Sequence, residues 1–379
     1  MKILILDAAN YNTLAIVRYM GIMKDIELHV VGYHRASLSF FSRYVSRKFV
    51  VTNPRTSEDT CYKQLLEILK GDKYDLLMPV GFQTHKICSS NRVEISKYAA
   101  MVIPGRESFE LASSKFETYK LAERLGVPCP KSYYVSSYVQ IKDLYVDFPV
   151  VVKAPFELGR NMVAYVNSKQ ELEEKSLWIK KELGLEEVTQ PIIQEYVEGD
   201  GYGFFAYYEE GICKNCFMHK RIREYPATGG ASVCAEGIYD EQLMEHGKKI
   251  LDHLKWNGVA MVEFKKDSKD GSYKLMEINP KFWGSLELAL ASGVNFPLCL
   301  VKNVKGENIG QQEEYKKIRF HWLLNGELYH FLSRPLSFFR ILVDLFTAKN
   351  DISLRDPLPN LMQVLLIFVH YYKRIRFAF

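Results

Sequence analysis

Residues 274–297 read KLMEINPKFWGSLELALASGVNFP. The apolar run that ends here predicts a strand, and on a strand residues two apart point to the same face. Glu277 and Asn279 therefore project side by side at its end. A carboxylate oxygen and an amide oxygen presented together are hard ligands, of the kind magnesium accepts. A strand entering a turn, with Asn and Pro serving turn chemistry, accounts for the same letters. The rest of the chain has to decide between the two.

Working outward, residues 257–280 (NGVAMVEFKKDSKDGSYKLMEINP) have the form of a hairpin whose polar loop closes in Asp270-Gly271. On its first strand Val259, Met261 and Glu263 share one face. Upstream, PIIQEYVEGDGYGFFAYY (191–208) reads as strand, Gly-rich turn and strand, and FPVVVKAPFELGRNMVAYV (148–166) as strand, loop and strand with Lys153 ending the first. Before them, SSKFETYKLAERLGVPCPKSYYV (113–135) predicts a Ser-capped charged helix to Gly126, stopped by Pro128 and Pro130. The first eighty residues alternate strand and helix patterns, which implies a parallel α/β layer. The loop after the first strand, Asp7-Ala8-Ala9-Asn10, lacks G-x-G-x-x-G, so NAD or FAD binding is not expected there.

Length and composition set bounds. A chain of 379 residues with 47% hydrophobic content has room for two or three domains. The boundaries expected are 1–105 for the N-terminal layer, 106–305 for a central unit (small lobe about 115–197, large lobe about 198–305), and 306–379 for a helical basic extension. Residues 316–379 hold ten Lys/Arg against four Asp/Glu, a surplus of six within a net charge of +5. The remainder is near neutral, which argues against nucleic acid as a partner. Seven scattered cysteines and no apolar leader before the first strand suggest a reducing, cytoplasmic setting. Cys213 and Cys216 form one close pair, but a zinc site would need a second pair and none is evident. No stretch reaches the roughly 18–20 apolar residues of a membrane span.

The order of Lys115, Lys153, QEYVEG, TGGAS, VEF and MEINPKFWGS resembles the ATP-grasp superfamily, on its carbamoyl-phosphate-synthetase-like, carboxylate–amine ligase branch, over residues 1 to about 300. The resemblance implies an ATP-grasp fold, α/β and α+β, with an N-terminal Rossmann-like layer and a helical C-terminal extension. It implies ATP and Mg²⁺ (or Mn²⁺) as cofactors, with Lys115 and Lys153 on the phosphates and Glu195 and Val197 on the adenine. Glu263, Glu277 and Asn279 would hold the metal. Residues 219–237, HKRIREYPATGGASVCAEG, place Lys220, Arg221 and Arg223 before a glycine pair. Glycines let backbone N–H groups approach an anion. Gly229, Gly230 and Ser232 are thus candidate substrate-binding residues, Lys220 is expected on the nucleotide, and Lys281, Arg221 and Arg223 are candidate catalytic cations. Each site residue also has a structural reading: a solvated surface lysine, a satisfied core carboxylate, or a basic surface hairpin.

Three departures from the family pattern stand out. Lys281 follows NP where many relatives have Arg, which would supply a planar fork. The phosphate-covering loop has the single glycine Gly159, with Arg160 beside it. The ribose contact is unassigned between Asp200 and Tyr202. The reaction implied activates a carboxylate as an acyl-phosphate and joins it to an amine, in cell-surface polymer or natural-product biosynthesis. The alternatives are a biotin-carboxylase-like bicarbonate-activating enzyme and a non-catalytic ATP-binding protein. The partners expected are small-molecule carboxylates and amines, with Asn10, Tyr11 and the PVGFQTH loop as neighbours of the substrate cleft. A homodimer stays open. So does a peripheral contact of the C-terminal segment with the inner face of a membrane, because that segment pairs apolar faces with Arg and Lys; packing of its helices on the body is the other reading.

Overall fold

The computed structural model describes the chain apart from residues 136, 157–161, 186–188, 227–228, 313 and 377–379, with side chains up to residue 367 in the last helix. Three sheets follow one another along the sequence. The first contains β1 (Lys2–Ile5), β2 (Glu27–Gly32), β3 (Val45–Val50) and β4 (Leu76–Met78), all parallel, in the order β3-β2-β1-β4. Ile3, Leu4, Ile5, Leu76, Leu77 and Met78 are inaccessible to solvent. Parallel strands covered on both faces read as continuous apolar runs for this reason. The loop after β1 turns at Asp7, whose φ is 64°. Its carboxylate is pinned by the Val80 and Gly81 N–H groups (3.1 and 2.7 Å), the Thr84 hydroxyl (2.6 Å) and the Tyr33 hydroxyl.

The second sheet is antiparallel: β5 (Ser132–Tyr133), β6 (Val150–Lys153), β7 (Val163–Val166) and β8 (Ile192–Glu195), ordered β5-β8-β6-β7. The helix Lys169–Leu183 covers it with Leu172 and Ile179. The third sheet has seven strands: β9 (Gly201–Glu209), β10 (Ile212–Tyr225), β11 (Ala231–Ile238), β12 (Gly258–Lys266), β13 (Tyr273–Asn279), β14 (Arg319–His321) and β15 (Lys349–Asn350). Their order is β13-β12-β9-β10-β11-β14-β15. Phe282 and Trp283, just past β13, fill the core beneath it, with Trp283 4.5 Å from the Phe205 ring and 5.1 Å from that of Phe296.

The helix Lys115–Leu125 joins the central sheets. Ser114 caps it, accepting from the Glu117 N–H at 3.3 Å, and Gly126 ends it in the left-handed region at φ 64°. One turn in, the Tyr119 hydroxyl donates to the Met276 carbonyl at 2.6 Å, which fixes the helix against β13. The C-terminal segment is helical over Leu328–Ser333, Phe338–Thr347 and Pro357–Arg376, but it first adds β14, antiparallel to β11, and later the two-residue β15. Strands this short carry no periodicity to read. The segment is tied to the N-terminal layer by Arg18, which donates to Asp356 Oδ2 (3.2 Å), Asn360 Oδ1 (2.9 Å) and the carbonyls of Asp351 and Asp356. Among the described residues no helix is long and apolar enough to cross a membrane.

Candidate functional site

A cleft of about 350 Å³ opens between the second and third sheets. In β13, Glu277 and Asn279 lie side by side, the Asn279 Nδ2 donating to Glu277 Oε1 at 2.9 Å. Glu263 on β12 stands opposite Glu277 in register. The hairpin thus gathers two carboxylates and an amide oxygen in one place, and each has a cationic neighbour. Lys115 donates to Glu277 Oε2 at 2.5 Å, Arg221 pairs with Glu263 at 2.7 Å, and Lys281 donates to Asn279 Oδ1 at 2.8 Å. Lys153, at the end of β6, comes from the facing sheet and donates to the Tyr119 hydroxyl at 2.9 Å. Glu195, Val197, Gly229 and Gly230 complete the expected residues on the cleft wall.

The electrostatics follow from burial and from these pairs. Burial, reinforced by the nearby Lys115 cation, pushes the Lys153 ammonium down to about 7. Burial raises the Glu263 carboxyl above its ordinary value, with Arg221 opposing and Glu277 and Glu224 adding to the rise. For Glu277 burial acts the same way but is outweighed by Lys115 and Asn279, which hold it down to about 2. Among the described residues, five cationic side chains and four carboxylates line the cleft, so their charges nearly balance. A polyanion or a divalent cation alone would upset that balance; together they preserve it.

Lys220, Arg223 and Ser232, expected at the site, are not on its wall. Lys220 follows the strand alternation to the opposite face from Arg221, where it pairs with Asp200 at 2.6 Å. Arg223 should share the face of Arg221, but irregularities interrupt the β10–β11 register on both sides of it: Arg221 opposes Ala235, Arg223 opposes Cys234 and Glu224 opposes Ser232. A bulge of this kind reverses the alternation. Glu224 therefore joins Arg221 in the cleft, 3.3 Å away. Arg223 turns into the body, pairing with Glu327 (2.6 Å) and Asp344 (2.6 Å), both 1% exposed. Ser232, opposite Glu224, sits one position beyond Ala231, the last cleft residue of that strand.

Other cleft residues had no recognised signal in the sequence. Lys265 is on the Glu263 face of β12, two residues on, and donates to the Val197 carbonyl at 3.0 Å; that same-face spacing was its legible signal. Tyr165 and Tyr196 meet edge to face at 5.8 Å across the mouth. Gly229, at φ 123°, and Gly230 form a tight turn, the Gly230 N–H donating to the Pro226 carbonyl at 2.8 Å. A Cβ on Gly230 would fall 2.0 Å from the Tyr225 carbonyl oxygen. Gly159 and Arg160 lie outside the described residues. Asn10, Tyr11 and the PVGFQTH loop are absent from the described cleft wall. Tyr11 is half-buried, near Asp351 and Tyr329 of the C-terminal segment. In the PVGFQTH loop burial pushes the His85 imidazole down to about 4, against the opposing effects of the Gly81 carbonyl and Asp7.

A solved structure of biotin carboxylase from Campylobacter jejuni, in complex with β,γ-ATP, superposes with a TM-score of 0.68 at 16% identity, covering 84% of this chain and 74% of that one. The sequence model of a family described as "ATP-grasp in the biosynthetic pathway with Ter operon" matches residues 216–325, the strands that carry Arg221, Glu263, Glu277 and Asn279. The chain has the ATP-grasp fold, and residues 216–325 match an ATP-grasp family. Among curated ATP-grasp relatives, D-aspartate ligase of Enterococcus faecium is 25% identical over 247 residues, 60% of this chain. That match spans 57% of the ligase, little more than half its length. A D-alanine–D-alanine ligase of Wolbachia pipientis is 24% identical over 274 residues, covering 65% of this chain and 73% of its own.

Proposed function

We propose that this ATP-grasp chain is an ATP-dependent ligase that activates a carboxylate as an acyl-phosphate and joins it to an amine. The observation that carries the reading is the cluster of Glu263, Glu277 and Asn279, ringed by Lys115, Lys153, Arg221 and Lys281 in one partly enclosed cleft. The donor set fits magnesium, which takes one or two carboxylates together with phosphate oxygens and water. When bound, the metal would neutralise charge between the β- and γ-phosphates.

The chain's own residues would do the rest. Lys115 and Lys153 approach from the helix and the facing sheet, so a phosphate chain between them meets a cation on each side. With its ammonium held near 7, Lys153 would take a proton as the polyanion arrives. Arg221 presents a planar fork at the glycine turn, suited to a substrate carboxylate or the transferring phosphoryl group. Lys281, next to Asn279, supplies point charge where a fork would otherwise stand. The Glu195–Val197 segment, with Lys265 on its last carbonyl, would hold the adenine. Positioning and charge neutralisation suffice for phosphoryl transfer, so no covalent protein intermediate is needed. The ligases named above, D-aspartate ligase and D-alanine–D-alanine ligase, support a ligase reading.

The test is ADP release from Mg·ATP against panels of carboxylates, each with and without amines. Release should require both partners and fall by about 10²-fold or more in Glu277→Gln. Release driven by bicarbonate alone would replace the proposal with bicarbonate activation. Nucleotide binding without turnover on any panel would replace it with a binding role.

A further inference from the structure

The C-terminal helices are turned inside out with respect to polarity. Residues 328–367 contain three acidic side chains, Asp344, Asp351 and Asp356, and all three are buried. Asp344 is held by Arg223 and Arg319, Asp351 accepts from the Leu324 N–H, and Asp356 accepts from Arg18 and from the Arg43 N–H. The amides of the last helix face inward as well: Asn360 and Gln363 are buried, and they bond to each other at 2.7 Å. With their polar groups anchored on the body, the helices present apolar residues to solvent.

On Phe338–Thr347 the outward side chains are Phe338, Phe339, Leu342, Val343, Leu345 and Phe346, while Ile341 and Asp344 point in. On the last helix Leu358, Leu361 and Leu365 are exposed at spacings of three and four, which places them in one stripe. Leu336 and Leu354, in the connections, are 97% and 90% exposed, and Phe346 is 85% exposed. Apolar surface on this scale marks an interaction site. The charged side chains exposed over residues 328–367 are Arg334, Arg340, Lys349 and Arg355, all of one sign.

We infer that this face docks on the surface of an anionic lipid bilayer, lying in the interface rather than crossing it. Phenylalanine and leucine side chains supply the apolar area that enters the acyl boundary, and the arginines and lysine meet lipid phosphates. Charge is what selects this occupant. A second copy of the same face would set four cations against four cations, with no exposed carboxylate on these helices to pair them. The helices cannot turn over to expose acids instead, because Arg18, Arg223 and Arg319 hold Asp344 and Asp356 inside. The inference stands on the surface alone and does not depend on which reaction the cleft performs.

Flotation of the full chain with vesicles tests it, using phosphatidylcholine alone or mixed with phosphatidylglycerol, at low and high salt. The protein should float with the mixed vesicles at low salt and stay behind with the neutral ones. Arg334→Gln and Arg340→Gln should each weaken binding by about fivefold, and Phe339→Glu with Phe346→Glu should abolish it. All four side chains are exposed, so thermal unfolding of these variants should match the parent and exclude misfolding as the cause. Equal flotation with neutral vesicles, no flotation of the folded parent, or flotation that survives the Phe339/Phe346 substitutions would each overturn the inference. So would a dimer in solution that those substitutions dissociate, which would assign the face to a second copy.

Discussion

Replacing Arg223 with methionine separates two roles for this residue. In the structure its guanidinium makes three short contacts to buried carboxylates: Nε to Glu327 Oε1 at 2.6 Å, Nη2 to Glu327 Oε2 at 3.1 Å, and Nη2 to Asp344 Oδ2 at 2.6 Å. Arg223 is 7% exposed and both acids 1%, so solvent would not rescue a charge left behind. Breaking one partner out of a buried ion pair typically costs about 3–5 kcal/mol. Arg319 still reaches Asp344 Oδ1 at 3.1 Å, so the cost should lie near the lower end, roughly 3–4 kcal/mol. Glu327 and Asp344 belong to the C-terminal segment, and that segment should loosen first. Urea unfolding measures the total, and amide hydrogen exchange over 328–347 shows where it is lost. Adding Glu327→Gln and Asp344→Asn should recover most of the stability by removing the stranded charges. Nucleotide affinity of the protein that stays folded should change little, because Arg223 faces away from the cleft. Stability within about 0.5 kcal/mol of the parent, combined with a loss of nucleotide affinity, would refute this placement and return Arg223 to the phosphates.

Lys153 supplies a pH signature. Its ammonium is held at about 7, below its ordinary 10.5, so between those values the unfolded chain holds a proton that the folded one lacks. Stability from this residue therefore rises with pH across that window. Phosphates favour the charged form, so nucleotide binding at pH 8 should take up about 0.9 proton, and affinity should fall as pH rises above neutrality. Calorimetry in buffers of different ionisation enthalpy measures the uptake; its persistence in Lys153→Met would discard the assignment. Metal binding gives another test. Glu277 and Glu263 each carry a basic partner when no nucleotide is bound, and among the described residues no group of three or more His, Cys, Asp or Glu is arranged to hold a metal. Manganese should therefore bind the nucleotide-free protein more weakly than about 1 mM, and Lys115→Met should tighten it. Micromolar binding by the unmodified protein, followed by electron paramagnetic resonance, would contradict the paired geometry.

Much of this protein was legible locally. The Ser114 cap and the Gly126 stop, the Gly258–Asn279 hairpin with its Asp270-Gly271 turn, and the shared face of Glu277 and Asn279 all depend on neighbours a few residues apart. Caps, turns and two-residue periodicity are short-range effects, and the chain carries them in plain order. Lys115 at a helix start, and Lys153 and Glu277 towards strand ends, likewise stand where the fold brings such ends together around one cleft.

What sequence periodicity could not supply was the relation between distant segments. The β10–β11 irregularity that sends Arg223 inward and Glu224 into the cleft is a property of two strands in register, and neither strand encodes it alone. The same is true of polarity in the last fifty residues. An amphipathic pattern shows that a helix has two faces; which one is buried depends on the partner. Here Arg18, Arg223 and Arg319, the first two more than a hundred residues upstream, offer enough charge-assisted bonding to draw Asp344, Asp356 and Glu327 inside. The leucines and phenylalanines opposite them are left in solvent because a helix cannot bury both faces against a single neighbour.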